Sequence, residues 1–181
     1  MNDRDLARIK VVKAVFTDVD GVLTDGSIYV GSNGEELKRF TVEDGVGASL
    51  ARQAGLTLAF ISGRKSDATL ARAKQMRVEE VYQGYLNKLE PFEFLLNKLH
   101  LQPEEVAYIG DGFIDMPLLE RVGVPVSVPN AAPIVKDLAM YITSCSGGQG
   151  VLAEVVQWIL KNQGRLEEVL TGIRAEIYRA E

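Results

Sequence analysis

Histidine and cysteine are nearly missing from this sequence: His100 and Cys145 are its only examples. One cysteine cannot close an internal disulfide, and one of each cannot assemble a Cys/His zinc centre. Basic residues are in deficit, with 20 Lys and Arg against 25 Asp and Glu and a net charge of −5. That balance lacks the electrostatic footprint of a nucleic-acid binder or of a protein held to an anionic membrane. No apolar run approaches the length of a membrane helix. The opening MNDRDLARIK has no apolar signal core, so a cytoplasmic protein is expected. Internal repeats and low-complexity linkers are also lacking.

What is present suits one globular domain over residues 1–181, with 46% apolar and 25% charged residues and enough chain for a full core. Short apolar runs without alternation, the mark of parallel strands covered on both faces, fall at 11–17, 56–62, 80–82, 106–109, 124–128 and 140–143. Helical patterns fall between and after them, at 45–54, 67–76, 89–99, 115–122, 132–137, 151–161 and 166–179. This alternation predicts an α/β fold with a doubly wound, Rossmann-like parallel sheet. The stretch SIYVGSNGEELKRFT (27–41) breaks the rhythm and reads as an inserted β-hairpin around Ser32-Asn33-Gly34. A tail at 164–181 carries an apolar helical stripe of Leu166, Leu170, Ile173 and Ile177. It packs either on its own domain or on a neighbouring subunit; the subunit contact is slightly favoured because the sheet domain is complete before it.

In sheets of this kind ligands bind beyond the carboxyl ends of the strands. Four polar stretches fall there: Asp18-Val19-Asp20-Gly21, Ile61-Ser62-Gly63-Arg64, YLNKLE with Lys88, and IGDGFID with Asp111 and Asp115. Clustered carboxylates repel one another unless a cation lies among them, and oxygen ligands without histidine select a hard ion, Mg²⁺. Ser62, the Gly63 amide and Lys88 are donors suited to phosphoryl oxygens. An aspartate can attack phosphorus, and a second carboxylate can protonate the leaving oxygen and then activate water. Alternate residues of a strand share a face, which would put Asp18 and Asp20 side by side unless the chain turns at Gly21.

DVDGVLT, ISGR, NKLE and GDGFID, in this order, resemble the four signature motifs of the haloacid dehalogenase superfamily of phosphotransferases. DGVLTDGSIYVGSNGEELKRF, Asp44-Gly45, QGYLNKLE and SGGQG are most similar to its capless branch, which includes the 3-deoxy-D-manno-octulosonate 8-phosphate (KDO 8-phosphate) phosphatases. The resemblance implies Asp18 as nucleophile and Mg²⁺ ligand, and Asp20 as general acid/base that binds the metal through its backbone carbonyl. It implies Asp111 as the third ligand with Asp115 supporting it, and Ser62, Gly63 and Lys88 on the phosphoryl group. It implies sugar-acid contacts from the loop Thr41, Val42, Glu43, Asp44 and Gly45 and from Arg64 and Arg72. It further implies a homotetramer in which the hairpin stands in place of a cap domain and helps close a neighbouring site. Glu43, Val46 and Ser49 stand where the branch carries Arg, Tyr and Arg; Gln149 replaces an arginine and Gly112 the second aspartate of a GDD. Those departures remove cations from the sugar-acid side.

Taken singly, each motif has a blander reading. A lone DxD is often a turn with a helix cap, Ser62-Gly63 an N-cap, Lys88 a surface lysine, and Arg72 an exposed helical arginine. Only their combination in order carries the chemistry. The alternatives are a phosphatase of nonulosonate 9-phosphates, a receiver-type domain and a catalytically silent regulatory subunit. A receiver is disfavoured because its acidic pair and its phospho-accepting aspartate lie on different strands.

Overall fold

In the computed structural model, residues 2–179 are described, with side chains described as far as Ala175. The chain starts with a helix the sequence reading did not expect, α1 (Asp3–Lys10). Asn2 accepts from the Asp5 amide and the Asp5 carboxylate returns to the Asn2 amide, closing a capping box. Ile9 is the buried anchor of this turn. Because helix runs to Lys10, the first strand, β1 (Ala14–Thr17), begins three residues later than the apolar run suggests. Gln163 fastens this entry from the far end of the chain, its amide donating to the carbonyls of Ile9 and Val12 at 3.0 and 2.9 Å.

Five further strands complete the main sheet: β4 (Thr57–Ser62), β5 (Glu80–Gln83), β6 (Val106–Ile109), β7 (Val124–Ser127) and β8 (Tyr141–Ile142). The order is β5-β4-β1-β6-β7-β8, and every pairing is parallel. Connections run outward in both directions from the β1/β6 boundary, so that boundary is the topological switch point, where a crevice opens at the strand carboxyl ends. β1, β6 and β7 are buried at every position, as expected for central strands covered on both faces.

The covering helices are α2 (Val42–Gln53), α3 (Asp67–Met76), α4 (Leu89–Leu99), α5 (Met116–Leu119), α6 (Pro133–Lys136), α7 (Val151–Asn162) and α8 (Leu166–Arg179). Bounds at α3 and α4 coincide with the expected helices, and both end on a left-handed residue, Arg77 and His100. The expected helix at 115–122 is shorter: a 3₁₀ turn over Phe113–Asp115 precedes α5. A second correction bears on function. The segment 41–45 is not a loop, because Thr41 caps α2 and Val42 already lies in its first turn.

The inserted hairpin is present as β2 (Tyr29–Val30) paired antiparallel with β3 (Glu36–Leu37). Its tip closes through the Gly34 amide on the Gly31 carbonyl, with Gly34 at φ +83°. Tyr29, Val30 and Leu37 are exposed on it. The C-terminal stripe, by contrast, packs on its own domain, which corrects the subunit-contact expectation. Val169 is buried, Leu166, Leu170 and Ile173 lie against the core, and Arg165 donates to the Ala54 carbonyl at 2.6 Å. The Ile177 side chain falls outside the described residues. Among the described residues, no helix is long and apolar enough to cross a membrane.

Candidate active site

Beyond Thr17 the backbone leaves β1 at once. The Asp18 amide still bonds to the Ile109 carbonyl at 2.9 Å, and then Val19 O accepts from the amides of Val22, Leu23 and Thr24. The strand-face argument for Asp18 and Asp20 therefore fails, since neither is in the strand. Their carboxylates part company, Asp18 meeting Lys88 and Asp20 meeting Lys38.

Lys88 enters from the loop after β5, and its side chain is fully buried. Its Nζ lies 2.7 Å from Asp18 Oδ1, 2.6 Å from Asp115 Oδ1 and 3.4 Å from the Tyr108 hydroxyl. The Tyr108 hydroxyl also donates to Asp115 Oδ1 at 2.6 Å. The other oxygen of Asp115 accepts from the amides of Asp111 and Gly112 at 3.1 and 2.9 Å. Asp115 is thus saturated with donors and orients both Lys88 and the backbone that presents Asp111.

Carboxylate oxygens of Asp18, Asp111 and Asp115 approach within 4.8 Å of one another. Burial pushes the Asp18 carboxyl up to about 8, with Lys88 opposing and Asp115 reinforcing the shift. Burial and then Asp115 push Asp111 up to about 6. One ammonium does not balance this group. Asp111 Oδ1 is moreover buried without a hydrogen-bond partner, and an orphaned acceptor of that kind is costly. Asp111 also packs so closely on Gly21, at φ +95°, that a Cβ there would lie 2.1 Å from Asp111 Oδ2. All-oxygen donors, excess negative charge and an unused lone pair fit a hard divalent cation.

The residues expected on the phosphoryl group lie at neighbouring strand ends. Ser62 ends β4, is buried, and its Oγ accepts from the Arg64 amide at 3.3 Å. A Cβ on Gly63 would come 2.8 Å from Ile114 Cδ1, so this loop touches the Asp111–Asp115 loop and needs a small residue.

The residues expected on the sugar acid divide into two groups. Arg64 pairs with Glu36 of the hairpin, Nη2 to Oε2 at 2.9 Å. Arg72 donates to the Thr41 carbonyl at 2.7 Å and to Gln75 at 3.1 Å, and it lines a groove with Thr41, Val42 and Lys38. Glu43 hydrogen-bonds the Thr41 hydroxyl. Asp44 is turned inward, accepting from the Leu152 amide at 2.9 Å in the first turn of α7, and burial pushes its carboxyl up to about 6. Gly45 lies beside Arg72, where a Cβ would come 3.3 Å from Nη2. Asp44 therefore joins α2 to α7 in this conformation, and Arg72, Thr41 and Gly45 form one group apart from Arg64.

Three residues of the neighbourhood escaped the sequence reading. Tyr108 lies within an apolar strand, where its polar tip was the available signal. Lys38 sits in a charged hairpin arm, yet its side chain is fully buried on Asp20. Asn130, in VPNAAP, reads as turn chemistry. It donates to the Gly21 carbonyl at 2.9 Å and accepts from the Gly147 amide at 2.8 Å, fastening the glycine loop 146–150 to the turn behind Asp20.

The model of the haloacid dehalogenase-like hydrolase family matches residues 59–155. The chain is 44% identical over 163 residues to the 3-deoxy-D-manno-octulosonate 8-phosphate phosphatase KdsC of Escherichia coli K12, covering 90% of this chain and 87% of that one. Among solved structures, the 3-deoxy-D-manno-octulosonate 8-phosphate phosphatase of Yersinia pestis superposes with a TM-score of 0.89 at 40% identity, over 92% of this chain and 90% of that one. The enzyme of that name from Moraxella catarrhalis, in complex with magnesium, phosphate and KDO, gives a TM-score of 0.91 at 35% identity, over 96% and 99% of the two chains. Crevice, carboxylate cluster and sequence agree: the chain belongs to the haloacid dehalogenase-like hydrolases, in the branch of the KDO 8-phosphate phosphatases.

Proposed function

We propose that this chain hydrolyses 3-deoxy-D-manno-octulosonate 8-phosphate to the free sugar acid and phosphate, through an aspartyl phosphate on Asp18. The observation that carries the reading is the buried contact of Lys88 with both Asp18 and Asp115 beside the unpartnered Asp111 oxygen. That arrangement offers a nucleophile, a fixed cation and an unfilled ligand position in one crevice. Relatives of that activity across nearly the whole chain supply the substrate class.

Asp18 attacks phosphorus while Lys88, Ser62 Oγ and the Gly63 amide bind the phosphoryl oxygens. Asp20 gives a proton to the leaving sugar oxygen, then takes one from the water that opens the aspartyl phosphate. Asp18, Asp111 and the Asp20 carbonyl would hold Mg²⁺, which supplies charge neutralisation for the anionic nucleophile and the transferring phosphoryl group. Asp115 keeps Lys88 and the Asp111 backbone in position throughout. Arg64 offers a planar fork to the sugar-acid carboxylate, and Arg72 with the 41–45 turn lines the adjoining wall.

The working form in this reading is a homotetramer. Tyr29, Val30 and Leu37 on the hairpin form an apolar surface that a partner subunit would cover. A reduced, cytoplasmic setting accords with Cys145, whose thiol donates to Glu154 at 2.7 Å. The test is turnover with Mg²⁺ across octulosonate 8-phosphate, nonulosonate 9-phosphates and neutral sugar phosphates. Preference for the octulosonate ester supports the reading; preference for either other class overturns the substrate assignment.

A further inference from the structure

The hairpin sets two acidic and two basic side chains in a line that joins the sugar side of the crevice to its acid/base. Lys38 Nζ lies 2.7 Å from Asp20 Oδ1 and donates to Asp20 Oδ2 at 3.0 Å, so one ammonium sits against both oxygens of the group that must handle protons, with Oδ1 buried and lacking a hydrogen bond. The Lys38 side chain is fully buried, and that of Asp20 is 19% exposed. On its other side Glu36 Oε1 lies 3.6 Å away, buried and without a hydrogen-bond partner. The second oxygen of Glu36 is held at 2.9 Å by Arg64, which is half exposed at the mouth of the crevice. Asp20, Lys38, Glu36 and Arg64 therefore form an alternating chain of four charges, closed at the Asp20 end and open at the Arg64 end.

This geometry has a defect that a substrate can repair. Glu36 has one oxygen engaged and one orphaned next to an ammonium at slightly more than hydrogen-bonding distance. Arg64 can satisfy a second carboxylate only by sharing its fork or by releasing Glu36, because a planar guanidinium pairs best with one carboxylate at a time. If Arg64 turns to an incoming carboxylate, Glu36 keeps its full charge with Oε1 buried and the side chain 24% exposed, and the nearest cation is Lys38. Moving Lys38 toward Glu36 draws it off Asp20.

We infer that Glu36 and Lys38 are specificity-determining positioning residues: Lys38 holds Asp20 out of use until a substrate carboxylate on Arg64 releases Glu36 to draw Lys38 away. The relay rests on the sugar-acid reading above and deepens it. Selection against substrates without a carboxylate is then expressed in kcat as well as in KM. A neutral sugar phosphate enters the phosphoryl pocket but leaves Asp20 in the grip of Lys38.

The test compares octulosonate 8-phosphate with ribose 5-phosphate, two primary phosphate esters of which only the first has a carboxylate, in the intact protein with Mg²⁺. Glu36→Gln keeps the shape of the side chain, frees Arg64 of its acidic partner and cannot attract Lys38. For octulosonate 8-phosphate it lowers KM and lowers kcat together, with kcat down about 10²-fold, the low end of what positioned proton transfer contributes; for ribose 5-phosphate kcat changes by less than about twofold. Glu36→Asp, which restores the charge, recovers part of the loss. Lys38→Met removes the grip, so kcat on ribose 5-phosphate rises and the ratio of the two kcat values contracts. A merely structural role for the pair would depress both esters alike. Equal effects of Glu36→Gln on the two esters, or an unchanged ratio in Lys38→Met, overturn the relay while the proposed function stands. Wild-type protein that prefers ribose 5-phosphate overturns both.

Discussion

Replacing Lys88 with methionine isolates what one buried cation does for this crevice. The side chain is wholly buried, and its Nζ serves Asp18 at 2.7 Å and Asp115 at 2.6 Å. Methionine fills much of the same volume, so the cavity contribution is small and the change is chiefly electrostatic. Breaking a buried ion pair by removing one partner costs about 3–5 kcal/mol, because a charge is left without compensation. For a chain of this length each kcal/mol corresponds to about 2–4 °C, so the Tm of Lys88→Met should fall by roughly 6–20 °C. The pH dependence has a definite sign. Burial already holds the folded-state pKa of Asp18 above that of the unfolded chain, and losing Lys88 raises it further, so the variant loses stability as pH rises from about 4 through neutrality. Wild type loses less over this interval, and the two denaturation curves should converge toward acid. The assay is urea denaturation with EDTA from pH 5 to pH 8, with Lys98→Met as control. Lys98 pairs with Glu80 at a comparable 2.6 Å but is 47% exposed, and its loss should cost no more than about 1 kcal/mol. A Lys88→Met protein within about 0.5 kcal/mol of wild type at pH 8, like an ordinary surface change, would refute the account of the crevice as a charge cluster needing a cation.

Gly21→Ala should weaken Mg²⁺ binding, because the added methyl would meet Asp111 Oδ2 at 2.1 Å and the φ of +95° is already costly for alanine; a calorimetric titration giving a wild-type Kd would contradict this. Asp20→Asn should depress kcat by about 10²–10⁴-fold on a sugar phosphate and less on p-nitrophenyl phosphate, whose leaving group needs no proton; equal losses would remove Asp20 from the acid role. Glu154→Gln should make Cys145 react faster with iodoacetamide. Burial and the Glu154 carboxylate push that thiol up to about 12, and removing the carboxylate's charge lets it fall, so an unchanged alkylation rate at pH 8.5 would refute the assignment.

The sequence disclosed the sheet and its strand ends because central parallel strands are buried at every position, read as mostly apolar runs and need no partner information to recognise. Asp18, Ser62, Lys88 and Asp111 were legible for the same reason: each is the polar residue at which such a run stops or the loop that follows it. What stayed hidden depends on distant pairing. Helix α1 is short and charged, and only the burial of Ile9 and the reach of Gln163 make it part of the core. The early start of α2 is fixed by Asp44 receiving an amide 108 residues away, which no local pattern records. Lys38 gave no local signal because its partner lies 18 residues back in another element. The C-terminal stripe was visible as a stripe, yet periodicity alone does not say against which surface it lies.

The position of β1 has a consequence for the chain during synthesis. It is the first strand to be made and stands between β4 and β6, so neither of its edges is covered when it leaves the ribosome. The first partner is complete at Ser62 and the second at Ile109. At about 5–20 residues per second, the β6 edge stays open for roughly 5–20 s after Thr17 is added. Throughout that interval Ala14-Val15-Phe16-Thr17 is a nascent, apolar, two-edged strand open to improper pairing. The strand that leads directly into Asp18 is thus also a segment whose exposure the cell must manage, and slowing translation between β4 and β6 would lengthen the exposure without altering the finished protein.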